Sequence, residues 1–130
     1  MSSSRYPWSM SSVKAIRGAT QAEANSAQSI GSATQELLRE MLKANQILVE
    51  DVISVIFTVS PDLNAAFPAS SAREVGFSDT PLLCAVEIGV PGALERVIRI
   101  LMHCNAPSKS APISHIYLHG AKSLRSDIVK

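Results

Sequence analysis

Two arginines lie inside segments whose other residues read as strands bound for a core. Arg17 sits in Val13-Lys14-Ala15-Ile16-Arg17-Gly18-Ala19-Thr20, and Arg99 in Val97-Ile98-Arg99-Ile100-Leu101-Met102. A guanidinium stays charged throughout the physiological range and almost never enters a core without a partner. Placing two of them among Val, Ile and Leu costs free energy unless an anion meets them. The fold must supply that anion, either as an internal carboxylate such as Glu87 or Glu95 or as a ligand.

The elements around the arginines follow from periodicity. Ala27, Ile30, Ala33, Leu37, Leu38, Met41 and Leu42 recur at helical spacing, which predicts a helix over Ser26 to Asn45 with Ser26 or Asn25 as N-cap. Val52-Ile53-Ser54-Val55-Ile56-Phe57-Thr58-Val59 is rich in β-branched residues and ends at Pro61-Asp62, so it reads as a strand buried on both faces. Pro68 suits the first turn of a short helix running to Val75 and stopped by Gly76. Pro81 to Val86 reads as a short strand, followed by the Glu87–Gly92 loop. Arg96 to Cys104 and His115 to Leu118 complete the set. One long helix, one short helix and about five strands make a small α/β domain over residues 13–130.

The chain has 130 residues, enough for one domain. Its apolar fraction of 46% with only 5% aromatics is high for a small monomer and points to aliphatic surface buried against other subunits. Twelve basic and eleven acidic residues leave a formal charge of +1, with no basic stripe of the kind nucleic-acid binding requires. Cys84 and Cys104 are too few for a disulfide framework, and no signal peptide or membrane span is evident, so a reducing cytoplasm is the expectation. Residues 1–12 hold six serines and one arginine, and are expected to form a flexible extension.

Several chemistries lack their signatures. His103, His115 and His119 have no paired cysteine or carboxylate at metal-ligand spacing, no glycine-rich phosphate loop follows a strand, and no serine sits in a nucleophile elbow. What the chain offers is positive charge: Arg17 before Gly18, Arg99 within its strand, Arg73 on the short helix and Arg125 near the C-terminus. Glu87 and Tyr117 lie at strand ends nearby. Arginine forks match carboxylates bidentately, so the set suits a small anion with more than one carboxylate, and Glu87 could accept a ligand hydroxyl.

Six strings in order resemble one family. Ile16-Arg17-Gly18-Ala19-Thr20, Phe67-Pro68-Ala69 with Arg73, Cys84 with Glu87, Val90-Pro91-Gly92-Ala93-Leu94 running into Arg96-Val97-Ile98-Arg99, His115-Ile116-Tyr117-Leu118, and Leu124-Arg125 are similar to the monofunctional, AroH-class chorismate mutases. The resemblance spans about Val13 to Ile128. It implies a homotrimer built as a pseudo-α/β-barrel around mixed five-stranded sheets, with active sites between subunits. The implied reaction is the pericyclic rearrangement of chorismate to prephenate, without cofactor or metal. It further implies that Arg17 and Tyr117 hold a substrate carboxylate, Arg99 faces the ether oxygen, and Glu87 orients the ring hydroxyl with Cys84. Phe67, Ala69, Arg73, Leu82, Leu83 and Leu124 would wall the cleft, and Arg125 would close over it. The sequence departs from the family in Leu124-Arg125-Ser126-Asp127, where a proline usually follows the arginine, and in Ser70 and Lys122. The rival functions are a non-catalytic trimeric binding or regulatory module for a carboxylated metabolite and, more remotely, a trimeric imine-hydrolysing deaminase.

Overall fold

The computed structural model describes residues 11–107 and 112–127, the side chains of 125–127 excepted. Strand β1 (Ser11–Gln21) leads into helix α1 (Ala27–Asn45). Strand β2 (Val52–Val59), helix α2 (Pro68–Glu74), strand β3 (Leu82–Val86), strand β4 (Val97–Pro107) and strand β5 (Ile116–Tyr117) follow, and a 3₁₀ segment, His119–Asp127, ends the described chain. Part of the expected N-terminal extension, residues 1–10, lies outside the described residues. Ser11 and Ser12 pair with Pro107 and Ala106 as the first rungs of β1 on β4.

The five strands form one mixed sheet in the order β3-β2-β4-β1-β5. β4 is central and antiparallel to both β1 and β2, while β3 runs parallel to β2 and β5 parallel to β1. Alternation along each strand sorts the side chains onto two faces. One face carries Ile16, Val55, Phe57, Ile98, Ile100 and Met102, all buried, and α1 packs on it.

Helix α1 has the cap expected of its sequence: the Ser26 hydroxyl accepts from the Ser29 N–H at 3.1 Å, satisfying one orphan donor of the first turn. Gln46 ends the helix in the left-handed region at φ 55°. Ile30, Leu37, Leu38 and Met41 form the buried stripe. Gly18 lets this stripe approach β1 closely, because a Cβ there would lie 2.5 Å from Met41 Sδ.

Two expectations are corrected. β2 is not buried on both faces: Val55, Phe57 and Val59 are buried, but Ile56 and Thr58 on the opposite face are only partly covered. Nor are the two arginines inside a core. Arg17 is exposed and Arg99 half-buried, because both project from the sheet face that α1 leaves open. The aliphatic runs supply the helix-facing side, and the alternate positions are free to carry charge.

Candidate active site

The open face of the sheet is crossed by one transverse row of residues. Thr58 on β2 pairs with Arg99 on β4, Arg99 pairs with Ala19 on β1, and Ala19 pairs with Tyr117 on β5. Directly opposed residues share a face, so the row converges on a single cavity of about 300 Å³. Arg17, two positions before Ala19 on the same face, joins it, as do Ile56, Leu101 and Glu87. Four residues far apart in sequence, Arg17, Glu87, Arg99 and Tyr117, thus line one cavity.

Glu87 is tied to the end of β2 twice. Its backbone N–H donates to the Val59 carbonyl at 2.8 Å, extending the β2–β3 ladder by one residue. Its Oε1 accepts from the Thr58 hydroxyl at 2.8 Å and lies 3.6 Å from Arg99 Nε. At that separation the two charges attract without forming a hydrogen bond. Arg99 Nε is itself buried and has no hydrogen-bond partner among the described residues.

Arg17 is positioned through its main chain. Its N–H donates to His115 Nδ1 at 2.9 Å, which sets the imidazole so that Nδ1 is the acceptor and stitches β1 to the segment entering β5. The same short parallel pairing sets Tyr117 beside Ala19.

Most of the remaining site residues expected from sequence gather elsewhere. Phe67, Ala69, Arg73, Leu82, Leu83 and Cys84 line a separate, open groove between α2 and β3, together with Ser70. Arg73 serves the local fold there: its Nη1 donates to the carbonyls of Phe77, Ser78 and Thr80 at 2.6, 2.9 and 2.9 Å, holding the turn that delivers β3. Leu124, half-buried in the terminal 3₁₀ segment, lines neither cavity. The Arg125 side chain lies outside the described residues. Among the described residues, no group of three or more His, Cys, Asp or Glu is arranged to hold a metal ion.

Sequence reasoning missed Thr58, Ile56 and Leu101 as parts of the cavity. Reading Val52–Val59 as buried on both faces concealed the signal, since a single threonine at an alternate position of an aliphatic strand marks the polar face. Missing too was a third hollow, bounded by Ser60, Asp62, Glu87, Val90, Leu94 and Arg99, which abuts the first through Glu87 and Arg99. Asp62 shapes its rim by accepting from the Arg96 N–H at 2.8 Å, where Arg96 turns through the left-handed region at φ 55°. Burial tends to raise the Asp62 carboxyl, but hydrogen bonds from Ser60, its own N–H and Arg96, with the Arg96 charge, outweigh it and hold the group below its ordinary value.

Comparison with known proteins gives a consistent set of relatives. The family model for chorismate mutase type I matches residues 13–128. Chorismate mutase AroH of Thermus thermophilus is 46% identical over 117 residues, covering 89% of this chain and 96% of the relative. Chorismate mutase AroH of Bacillus subtilis is 34% identical over 117 residues, covering 89% and 92%. A solved chorismate mutase from Clostridium thermocellum superposes with a TM-score of 0.82 at 50% identity, over 85% of this chain and 98% of that one.

Proposed function

Because this chain belongs to the type I chorismate mutase family and is an isomerase of chorismate, we propose that the cavity lined by Arg17, Glu87, Arg99 and Tyr117 is where the rearrangement to prephenate takes place. The comparisons give no support to a non-catalytic binding module. The observation that favours this cavity is the relation of Arg99 to Glu87: a cation and a carboxylate share one wall, close enough to attract, and are not closed into a hydrogen-bonded pair.

The chemistry asks for little more than this. Chorismate is a dicarboxylate in which one C–O bond breaks while a C–C bond forms, so no nucleophile and no covalent intermediate are needed. The reaction is already intramolecular, so the protein's part is to hold the flexible substrate in the conformer that brings the two joining carbons into contact, removing orientational freedom before the barrier is crossed. Arg17 and Tyr117 suit the side-chain carboxylate, Arg17 through its guanidinium fork. Arg99 suits the ether oxygen, where negative charge grows as the C–O bond lengthens, and a fixed cation there stabilises the transition state more than the ground state. Glu87 suits the ring hydroxyl as acceptor.

We further propose a homotrimer with sites between subunits. Supporting it is the division of the predicted substrate contacts between two separate cavities of one chain. A neighbour that presents its α2–β3 groove to the charged cavity would complete the site. Leu83, Val86, Ile88 and Val90 are all exposed in the single chain, an apolar run along and just beyond the edge strand β3, and Phe67, exposed at the start of α2, faces the same groove; association would cover them. A cytoplasmic location is proposed on the two free cysteines and on the lack, among the described residues, of a helix long and apolar enough to cross a membrane.

The test is turnover of chorismate by the purified protein and by its Arg99→Ala variant. Saturable prephenate formation that the substitution removes, with melting and oligomeric mass unchanged, supports the site. A variant as active as the parent places the chemistry elsewhere. Sedimentation tests the assembly, and a monodisperse monomer overturns the shared site.

A further inference from the structure

The proposed roles leave one contact in the cavity unexplained, the hydrogen bond from Thr58 to Glu87. We infer that Thr58 is a positioning residue that divides the Glu87 carboxylate between two tasks: its hydroxyl occupies Oε1 and keeps that oxygen off Arg99, and Oε2 is left to accept the substrate's ring hydroxyl. This inference rests on the assignment of Glu87 to the site.

Left to themselves, a carboxylate and a guanidinium 3.6 Å apart gain by closing to hydrogen-bond distance, best of all as a two-pronged fork. Here the closed pair would satisfy the buried Arg99 Nε, which now has no hydrogen-bond partner. It would also spend the cation's field on an internal partner before substrate arrives, reducing what Arg99 can offer a developing oxyanion. Something must hold the carboxylate short of that minimum.

The register supplies the restraint. Thr58 lies directly across from Arg99 in the β2–β4 ladder, so its hydroxyl and the guanidinium rise from neighbouring points of one face. The hydroxyl reaches Oε1 at 2.8 Å, well inside the 3.6 Å to Arg99 Nε. A β-branched side chain in a strand has few χ1 options, so the donor is set before the carboxylate arrives. The Glu87 N–H on the Val59 carbonyl fixes the main chain of the same residue to the same strand end. Together these bonds locate the carboxylate from β2, independently of β4, where Arg99 stands.

The experiment compares Thr58→Val, Thr58→Ser, Glu87→Ala and the Thr58→Val/Glu87→Ala double variant in kcat and KM for chorismate, with melting and oligomeric mass measured for each. Losing a hydrogen bond to a charged group is expected to lower kcat about tenfold to a hundredfold in Thr58→Val. Thr58→Ser, which keeps the hydroxyl, should stay within about threefold of the parent, since the added side-chain freedom is a small effect. In the Glu87→Ala background the Thr58→Val change should cost nothing further, which a merely structural role would not produce. Should Thr58→Val melt early, Thr58→Cys, of similar size with a weak donor, is the substitute and should show the same loss. Parent-like kcat in a folded variant lacking the hydroxyl overturns the inference, as does an equal loss in Thr58→Ser or an undiminished loss in the double variant. A Glu87→Ala variant as active as the parent removes Glu87 from the site and the Thr58 role with it. Impairment of Glu87→Ala beside an unimpaired Thr58→Val overturns the Thr58 role alone.

Discussion

Glu87 Oε1 stands 3.6 Å from Arg99 Nε, a separation at which an ion pair attracts but does not bond. Both side chains are partly open to solvent, at 37% and 41% exposure, so the pair contributes little to stability as it stands. Its significance lies in the cavity, where a substrate that excludes water would strengthen every fixed charge.

Arg99→Ala is therefore expected to separate activity from folding. Its kcat for chorismate should fall on the order of a hundredfold to a thousandfold, the usual cost of losing one preorganised donor to a developing oxyanion. The melting temperature should hardly move, because a half-exposed arginine on the open face supports little of the core. An unfolded variant would mark Arg99 as structural.

Gly18→Ala should act on the other side of the sheet. The new methyl would sit 2.5 Å from Met41 Sδ and 3.1 Å from Leu37 Cδ1, both buried in the main core. Overpacking of this kind typically costs about 1–3 kcal/mol, read as a lower midpoint in denaturant. A variant as stable as the parent would show that α1 yields freely and that its packing on β1 is loose.

Asp62→Asn tests the rim. The native carboxyl titrates below its ordinary value of 3.8, so it contributes stability that is present above that value and is lost as pH falls through its native one. The variant should be less stable than the parent at neutral pH, and the gap should close as the pH drops below the ordinary carboxylate range. Parallel stability curves from pH 7 to pH 2.5 would show that the charge on Asp62 does not hold the Arg96 turn.

The two thiols should differ in reactivity. Burial, aided by the nearby Asp51 charge, pushes the Cys104 thiol above its ordinary value of 9.0 and keeps it protonated and inert in the folded chain. Cys84 lines the open α2–β3 groove. An aromatic disulfide reagent at pH 8 should titrate Cys84 in the native protein and Cys104 only after unfolding. A dicarboxylate mimic of the transition state should slow the first reaction if that groove completes the site, and an unchanged rate would separate Cys84 from it.

Much of this was legible in the chain. Helical spacing from Ala27 to Leu42, the β-branched run from Val52 to Val59 and the Ser26 cap each report on neighbours within a turn or a strand, and local sterics decide such elements. The polar residues around which the cavity is built, the charged Arg17, Glu87 and Arg99 and the neutral Tyr117, are likewise visible as residues out of keeping with their surroundings. Tertiary structure alone decided which way they point. Pairing across β2, β4, β1 and β5 put Thr58, Arg99 and Tyr117 in one row and made the face opposite α1 the polar one, turning two apparently buried arginines into the wall of a cavity. It also separated the α2–β3 groove from that cavity and set a threonine hydroxyl between a carboxylate and a cation. The physical reason is that side-chain period fixes which residues share a face, whereas only strand register fixes which residues from distant segments meet on it.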